Sequence, residues 1–461
     1  MSTRIYKLGR LAILQLLCLL VLESCEKSKK ANDTEQPQIL KDNYVAILDS
    51  IVPILISEYD APSAGVSVIR NGQISFVKVY GEHQKGKSAP KNTIYNVASI
   101  TKPIVATMVM KLVENGDWSL DEPLYHHYLD ADVADDPRAK RITTRHCLSH
   151  TAGFKNWRWD EEDGKLNINF EPGTEFQYSG EGMELLRKAL EAKFNTPLET
   201  LMDSIIFEPA GMKDVSMRWS KIDSSKFAKW YNSSGKEHNT DFRINKVNAA
   251  DDILVTMADL AKFCESILNN DILNQDTYQE MSKPQSEINE KLNQGLGWVI
   301  FDENEMLGKV LNHDGGDPGV VATIILLPKY DAAIAISINS DNGANITNSI
   351  VDHVFKHGKQ IIEGLHWKNS IPTKVEVGRI QLQNYSGAYQ TNLGFSITFI
   401  VTEDGLMTQS DVFPKIRLWP KSENEFFPLP FELYFNFYEE NNRMHVSVLN
   451  GDNELEFTGV K

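Results

Sequence analysis

The chain predicts an α+β protein: an antiparallel sheet flanked by helices, a mostly helical subdomain inserted between its strands, and a small all-β domain at the C-terminus. Three observations predict it. Alternating strand runs lie near both ends of residues 44–365, and the stretch between them is dominated by helical periodicity and loops. From about Ile371 the pattern changes to short alternating runs separated by turn signals, which marks residues 371–461 as a separate all-β domain.

In chain order, Arg4, Lys7 and Arg10 precede an apolar run from Leu11 to Leu22, interrupted by Gln15. The run is too short and too early for a spanning helix and reads as an export signal over residues 1–24. Leu22-Glu23-Ser24-Cys25 resembles the lipoprotein-processing pattern, which implies that Cys25 is lipidated and anchors the chain to a bacterial envelope membrane. An uncleaved signal anchor is the alternative. Residues 25–43 are polar and poor in apolar side chains, as expected of a flexible tether, with order beginning near Tyr44.

From Tyr44 to Tyr59 the residues Val45, Leu48, Ile51, Val52, Leu55 and Ile56 recur at helical spacing, with Pro53 as a kink. Val66–Ile69 and Ile74–Val79 flank Asn71-Gly72, a hairpin signal. A helix follows Ser99 through Ile104, Val105, Met108, Val109 and Leu112 and stops at Asn115-Gly116; another runs from Met183 to Phe194. Two late strands span Gly319–Leu327 and Ala332–Ile338. The C-terminal domain offers Phe395–Val401, Lys415–Trp419, Leu433–Tyr438 and Met444–Leu449 as strands.

Lys plus Arg total 47 against 63 Asp plus Glu, and a net charge of -16 argues against nucleic acid as a partner. With Cys18 in the leader and Cys25 lipidated, Cys147 and Cys264 are too few for a disulfide framework or a thiolate metal site, and read as buried apolar residues. No cofactor and no metal are expected. His126-His127 and the stretch from His146 to His150 come nearest to a ligand set, but no His-Glu-x-x-His pattern occurs.

Ser99-Ile100-Thr101-Lys102 carries the chemistry. The same Ser-x-x-Lys spacing occurs at Ser24, Ser75, Ser88 and Ser233, but of these Ser99 opens a helix. Positions i and i+3 share a helix face, so Lys102 should lie beside the Ser99 hydroxyl. Pro103 biases Lys102 away from helical angles and predicts an irregular helix start. Taken alone, the tetrapeptide also fits a mere helix cap with an exposed lysine. Two more stretches join it: Glu175-Phe176-Gln177-Tyr178-Ser179-Gly180, ahead of a helix, and His313-Asp314-Gly315, immediately ahead of the strand that starts at Gly319.

Ser-x-x-Lys, a Tyr motif about 80 residues on, and a basic residue-x-Gly on a late strand together resemble the serine β-lactamase and penicillin-binding-protein superfamily. The likeness is closest to its class C β-lactamase-like branch, which also holds D,D-peptidases, D-aminopeptidases and esterases. The stretches Ile142–Phe154, Glu208-Pro209-Ala210-Gly211-Met212 and Gly295-Leu296-Gly297-Trp298 look the same, and the likeness covers roughly residues 45–360. It implies a β-lactamase/transpeptidase-like fold with the site between the mixed and helical parts, and often a C-terminal β domain.

The resemblance also implies roles. Ser99 would be the nucleophile, Lys102 and Tyr178 the proton carriers, and His313 would line the site opposite the helix. The backbone N–H groups of Ser99 and Gly316 would hold the oxyanion, and Gly180, Asp314, Gly315 and Gly316 would border the substrate. A free serine hydroxyl is a poor nucleophile, which is why an adjacent base is needed as it attacks a carbonyl. The product of that step is an acyl-enzyme released by water. Arg145, His150, Trp157 and Trp159 read as structural, with Arg145 suited to an internal ion pair.

Two departures from the family pattern bear on substrate. Gly180 stands where the family usually has Asn, and Asp314 stands where antibiotic-hydrolysing members have the Thr of Lys-Thr-Gly. A carboxylate there would repel another carboxylate. The expected substrate is therefore a small ester or a D-amino-acid amide or peptide, small or peptidoglycan-like, with weak β-lactam hydrolysis. A catalytically silent envelope-binding lipoprotein that uses its C-terminal domain is the alternative.

Overall fold

The strand runs from the two ends of residues 44–365 meet in one antiparallel sheet. In the computed structural model, residues 38–460 are described apart from 234, 239–245, 303, 366–374, 392–393, 395, 403–404, 411–414, 429–432 and 451–452. The leader, Cys25 and most of the tether lie outside the described residues. Among those described, no helix is long and apolar enough to cross a membrane.

Helix α1 (Tyr44–Glu58) is followed by β1 (Ser63–Arg70) and β2 (Gln73–Gln84), joined at Asn71-Gly72 as the turn signal requires. Late in the chain come β3 (Val310–Asp317), β4 (Val320–Leu327) and β5 (Ala332–Ile338). β1 pairs with β5 in antiparallel register, Val66 opposite Ile336 and Val68 opposite Ile334. Short strands extend both edges, giving nine strands among the described residues. Every residue of β5 is buried, because helices cover the sheet on both faces.

The middle of the chain is helical and irregular, as expected. Helix α2 (Thr101–Glu114) is buried almost all round, from Thr101 through Met110 and at Leu112, which makes it the central strut rather than a surface helix. Around it run α3 (Gly180–Phe194) and α4 (Met257–Leu268), and α4 packs on β1, β2 and β5. Helices α5 (Gly343–Val354) and α6 (Gly358–Leu365) close the domain, with α5 against α1 and β4.

Three expectations need correction. His313-Asp314-Gly315 does come ahead of the strand expected from Gly319, which is β4, but it also lies inside a strand of its own, β3, because the apolar run Val310–Leu311 before it supplies the pairing residues. Order begins before Tyr44. Leu40 is 1% exposed and bridges Phe355, so the tether expected over 25–43 ends earlier, where an apolar side chain finds a core. The C-terminal strands also number more than those read from sequence: Gly387–Gln390, Gly405–Ser410, Glu425–Pro428 and Asn453–Val460 complete an eight-stranded closed barrel among the described residues.

Closure pairs Tyr389 with Gly459 and leaves no free edge. Its interior is aromatic. Tyr389, Phe399, Phe426, Phe435 and Phe437 pack there, and Tyr385 from a short helix below stacks on Phe437 at 4.5 Å. The barrel docks on the N-terminal end of α5, where the Lys415 N–H donates to Asn342 Oδ1 and Gln409 Nε2 donates to the Ser233 carbonyl.

Candidate active site

Ser99 sits in a single 3₁₀ turn, Ala98–Ile100, that runs directly into α2. Pro103 occupies the first turn of α2, where a missing N–H is harmless, and the irregular start expected from it takes this form. Ala98 is held at φ 45°, a left-handed conformation costly for a residue with a Cβ. Its N–H is fixed by Asn96 Oδ1 at 2.7 Å.

Lys102 is 1% exposed. Its Nζ donates to Ser99 Oγ at 2.9 Å and to the Ala250 carbonyl at 2.8 Å, and stands 4.6 Å from the centre of the Tyr178 ring. Three segments distant along the chain thus converge on the Lys102 amine, which touches the Ser99 hydroxyl.

Tyr178 is held by His150. The Gln177 N–H donates to the His150 carbonyl at 2.8 Å, the Ser179 N–H donates to His150 Nδ1 at 3.2 Å, and the two rings lie 4.5 Å apart. Because Nδ1 accepts, the imidazole proton resides on Nε2. Burial, reinforced by the charge of Lys102, holds the His150 pKa well below its usual value. Its structural reading from sequence therefore gains a content: His150 positions the Tyr178 loop, itself at φ 55°. Arg145, from the same motif, forms ion pairs with Asp121 at 2.7 Å and Glu280 at 2.6 Å, but both partners are accessible to solvent, so the pairing is at the surface and not internal as expected.

β3 forms the opposite wall. The short strand Val299–Phe301 pairs with β3 only at Val310–Asn312, so His313–Asp317 present a free edge beside the nucleophile turn. Gly315 must be glycine, since a Cβ there would lie 2.2 Å from the Val97 carbonyl. A Cβ on Gly316 would meet nothing within 4 Å.

His313 is buried and its Nδ1 donates to the Asp314 carbonyl at 2.8 Å. Burial, then the charge of Lys102, lowers its pKa to about 3, so it is neutral at neutral pH. The basic residue expected at this position therefore supplies no positive charge. Asp314 alternates to the other face of β3, where Thr323 Oγ1 and Asn312 Nδ2 donate to its carboxylate. Open to a cavity yet crowded by protein, it is pushed above the usual carboxylate range by lost hydration. The structure therefore gathers Ser99, Lys102, Tyr178, His313, Gly315 and Gly316 and turns Asp314 away from them.

Gly180 has a packing explanation. The Trp157 indole lies over it, and a Cβ would come within 2.6 Å of that ring. Trp157 stacks on Trp159 at 4.9 Å, and its loop is zipped to the start of α3 by the Gly180 N–H to Asn156 Oδ1 (2.9 Å) and by Arg158 to Glu181 (2.8 Å). The space of the family's Asn side chain is filled by tryptophan.

Sequence reasoning missed Asp251, Asp252 and Asp317, whose carboxylate oxygens lie within 4.8 Å of one another. Nothing in Ala249-Ala250-Asp251-Asp252 signals that the end of β3 will meet it. All three pKa values are raised, first by burial and then by their mutual repulsion, while Lys102 opposes the shift at Asp251 and Asp317. A folded-state pKa above the unfolded value of about 3.9 means the folded protein binds protons that the unfolded chain has released, so this contribution to stability is lost as pH climbs toward neutrality. Asp317→Asn should relieve the repulsion, raising Tm at pH 8 by a few degrees (about 1–2 kcal/mol) and flattening the pH dependence of Tm from pH 5 to 8. Parallel melting curves for the two proteins would count against this account.

The model of the Beta-lactamase family matches residues 42–354. An esterase of Burkholderia gladioli is 27% identical over 198 residues, which is 37% of this chain and half of the esterase's length. Among solved structures, the octameric penicillin-binding protein homologue from Pyrococcus abyssi superposes with a TM-score of 0.62 at 20% identity, covering 90% of this chain and 100% of that one. A D-amino acid amidase from Ochrobactrum anthropi SV3 gives 0.59 at 21% identity, covering 70% and 99%. At such identities the structural likeness speaks for the fold.

Proposed function

Because the chain belongs to the Beta-lactamase family, a family of serine hydrolases, we propose that it cleaves a small ester or a D-amino-acid amide or peptide through an acyl-enzyme on Ser99. The observation that carries this reading is the contact of Lys102 Nζ with Ser99 Oγ at 2.9 Å, beneath the Tyr178 ring. In its unprotonated amine form, Lys102 takes the hydroxyl proton as Ser99 Oγ bonds to the substrate carbonyl carbon. The backbone N–H groups of Ser99 and Gly316 hold the oxyanion, and Tyr178 relays the proton taken up by Lys102 to the departing alcohol or amine, so that both groups return to their starting states. Water then attacks the acyl-enzyme, returning the serine and its proton.

Substrate preference follows from charge. His313 is neutral, and no Lys or Arg is among the described residues lining the cavity at Ser99, so a substrate carboxylate finds no counter-ion. An esterase and a D-amino acid amidase among the similar proteins agree with ester and amide substrates. The test is a panel of esters, D-amino-acid amides and penicillins scored by the mass of the adduct on Ser99. An acyl adduct from esters or amides is expected; no adduct from any of them overturns the proposal, and penicillin turnover rivalling that of esters overturns the preference.

The address is proposed on sequence grounds, the Arg4–Arg10 leader and the Leu22–Cys25 pattern supporting lipid anchoring at Cys25 in a bacterial envelope. Mass spectrometry of the mature N-terminus tests it, and an unmodified Cys25 ends it.

A further inference from the structure

The cavity at Ser99, of about 580 Å³, does not stop at the catalytic groups. Ser99 and Tyr178 line it at one end. It then passes the free edge of β3 and continues along the opposite face of the sheet, between β3–β4 and the helices α5 and α6. Strand register separates the two faces: His313 pairs with Ile324 and Gly315 with Ala322 on the catalytic side, whereas Asp314 pairs with Thr323 and Gly316 with Val321 on the other. Passage between the faces is possible because position 316 has no side chain, its Cβ direction being open space.

The far end is apolar. Val321 and Ile325 of β4 face Ala344 and Val351 of α5 and Ile362 and Leu365 of α6. Thr347 and Asn348 of α5 are the polar members of that wall, and the Asp314 carboxylate is already engaged by Thr323 and Asn312. A volume of this size holds a drug-sized ligand.

We propose that this extension behind β3 takes an uncharged apolar portion, aliphatic or aromatic, of the substrate whose carbonyl is presented to Ser99, so that it selects substrates by the size of that portion. The inference rests on the serine-hydrolase reading and adds to it where the bulk of the substrate lies. The same chemistry can come from the acyl or the alcohol side of an ester, and the two are separable by experiment.

The test uses the protein with two ester series: p-nitrophenyl esters from acetate to decanoate, which vary the acyl group, and acetates of alcohols of increasing length. In one series kcat/KM should climb with chain length, at up to roughly fourfold for each methylene buried and at least tenfold in all, and which series does so identifies the side. Ala344→Phe, which fills the apolar end, should erase that gain while leaving p-nitrophenyl acetate turnover within about threefold. Ile362→Ala, which enlarges the cavity, should move the optimum to longer chains and serves where the bulkier variant does not fold. An acyl adduct on Ser99 with no length dependence in either series overturns the inference but leaves the serine-hydrolase reading standing. A uniform loss across both series in Ala344→Phe, with no change of optimum in Ile362→Ala, also overturns it, as does a succinyl ester cleaved as fast as its uncharged isostere. Absence of any Ser99 adduct removes the reading on which the inference rests, and the inference with it.

Discussion

Replacing Ser99 by alanine is expected to lower kcat/KM for every ester and amide substrate by about 10⁴–10⁶-fold and to abolish covalent labelling by fluorophosphonates, while leaving Tm unchanged within a degree or two. The size follows from the loss of the covalent route itself: without Oγ the bond to the substrate carbonyl cannot form, and only binding and oxyanion stabilisation remain. The unchanged stability follows from the site. Ser99 is half-buried in a turn, and the backbone of that turn is fixed by Asn96 Oδ1 on Ala98 rather than by the serine side chain. Measuring adduct mass, steady-state kinetics and thermal melts on one preparation checks all three. A Ser99→Ala protein that still acquires an adduct would place the nucleophile elsewhere.

Lys102→Met should cut kcat by about 10²–10⁴-fold, the range for a general base, with Tm at pH 6 held or raised. The lysine is 1% exposed, and the groups in direct contact with its Nζ are neutral: the Ser99 hydroxyl, the Ala250 carbonyl and the face of Tyr178. Burying a charge on such partners is costly, whereas methionine has similar volume and no charge to desolvate. Activity and stability therefore oppose each other at this position, as they do where a site is built for chemistry rather than packing. At higher pH the gain should shrink, because Asp251 and Asp317 lose the cation that offsets their repulsion. A drop in Tm of more than a few degrees at pH 6 would show that Lys102 is structural.

Legibility from sequence was uneven for physical reasons. Asn71-Gly72 between alternating runs announced the β1–β2 hairpin because a tight turn is a local event. The C-terminal run Phe395–Val401 emerged as Ser396–Thr402, yet Gly405–Ser410 and Glu425–Pro428 did not announce themselves; short strands closing a barrel are held by neighbours, not by pattern. His313 was legible as a site residue but not in its charge state, since burial sets that and burial is a property of the assembled molecule. Gly180 stood out as a departure, while its cause, Trp157 lying over it, requires two segments to meet.

The amino-acid order alone determined what can be written along a helix or a strand: the pairing of Ser99 with Lys102 at i and i+3, the helix that follows them, four of the C-terminal strands and the acidic balance of the chain. Tertiary structure decided everything that depends on segments far apart coming within a few ångströms. It brought Tyr178 over Lys102 by way of His150, joined Asp251 and Asp252 to Asp317, and set the helices after β5 far enough from β3 and β4 to leave a cavity. Those distances come from packing, and packing is the sum of many contacts that no local window of sequence contains.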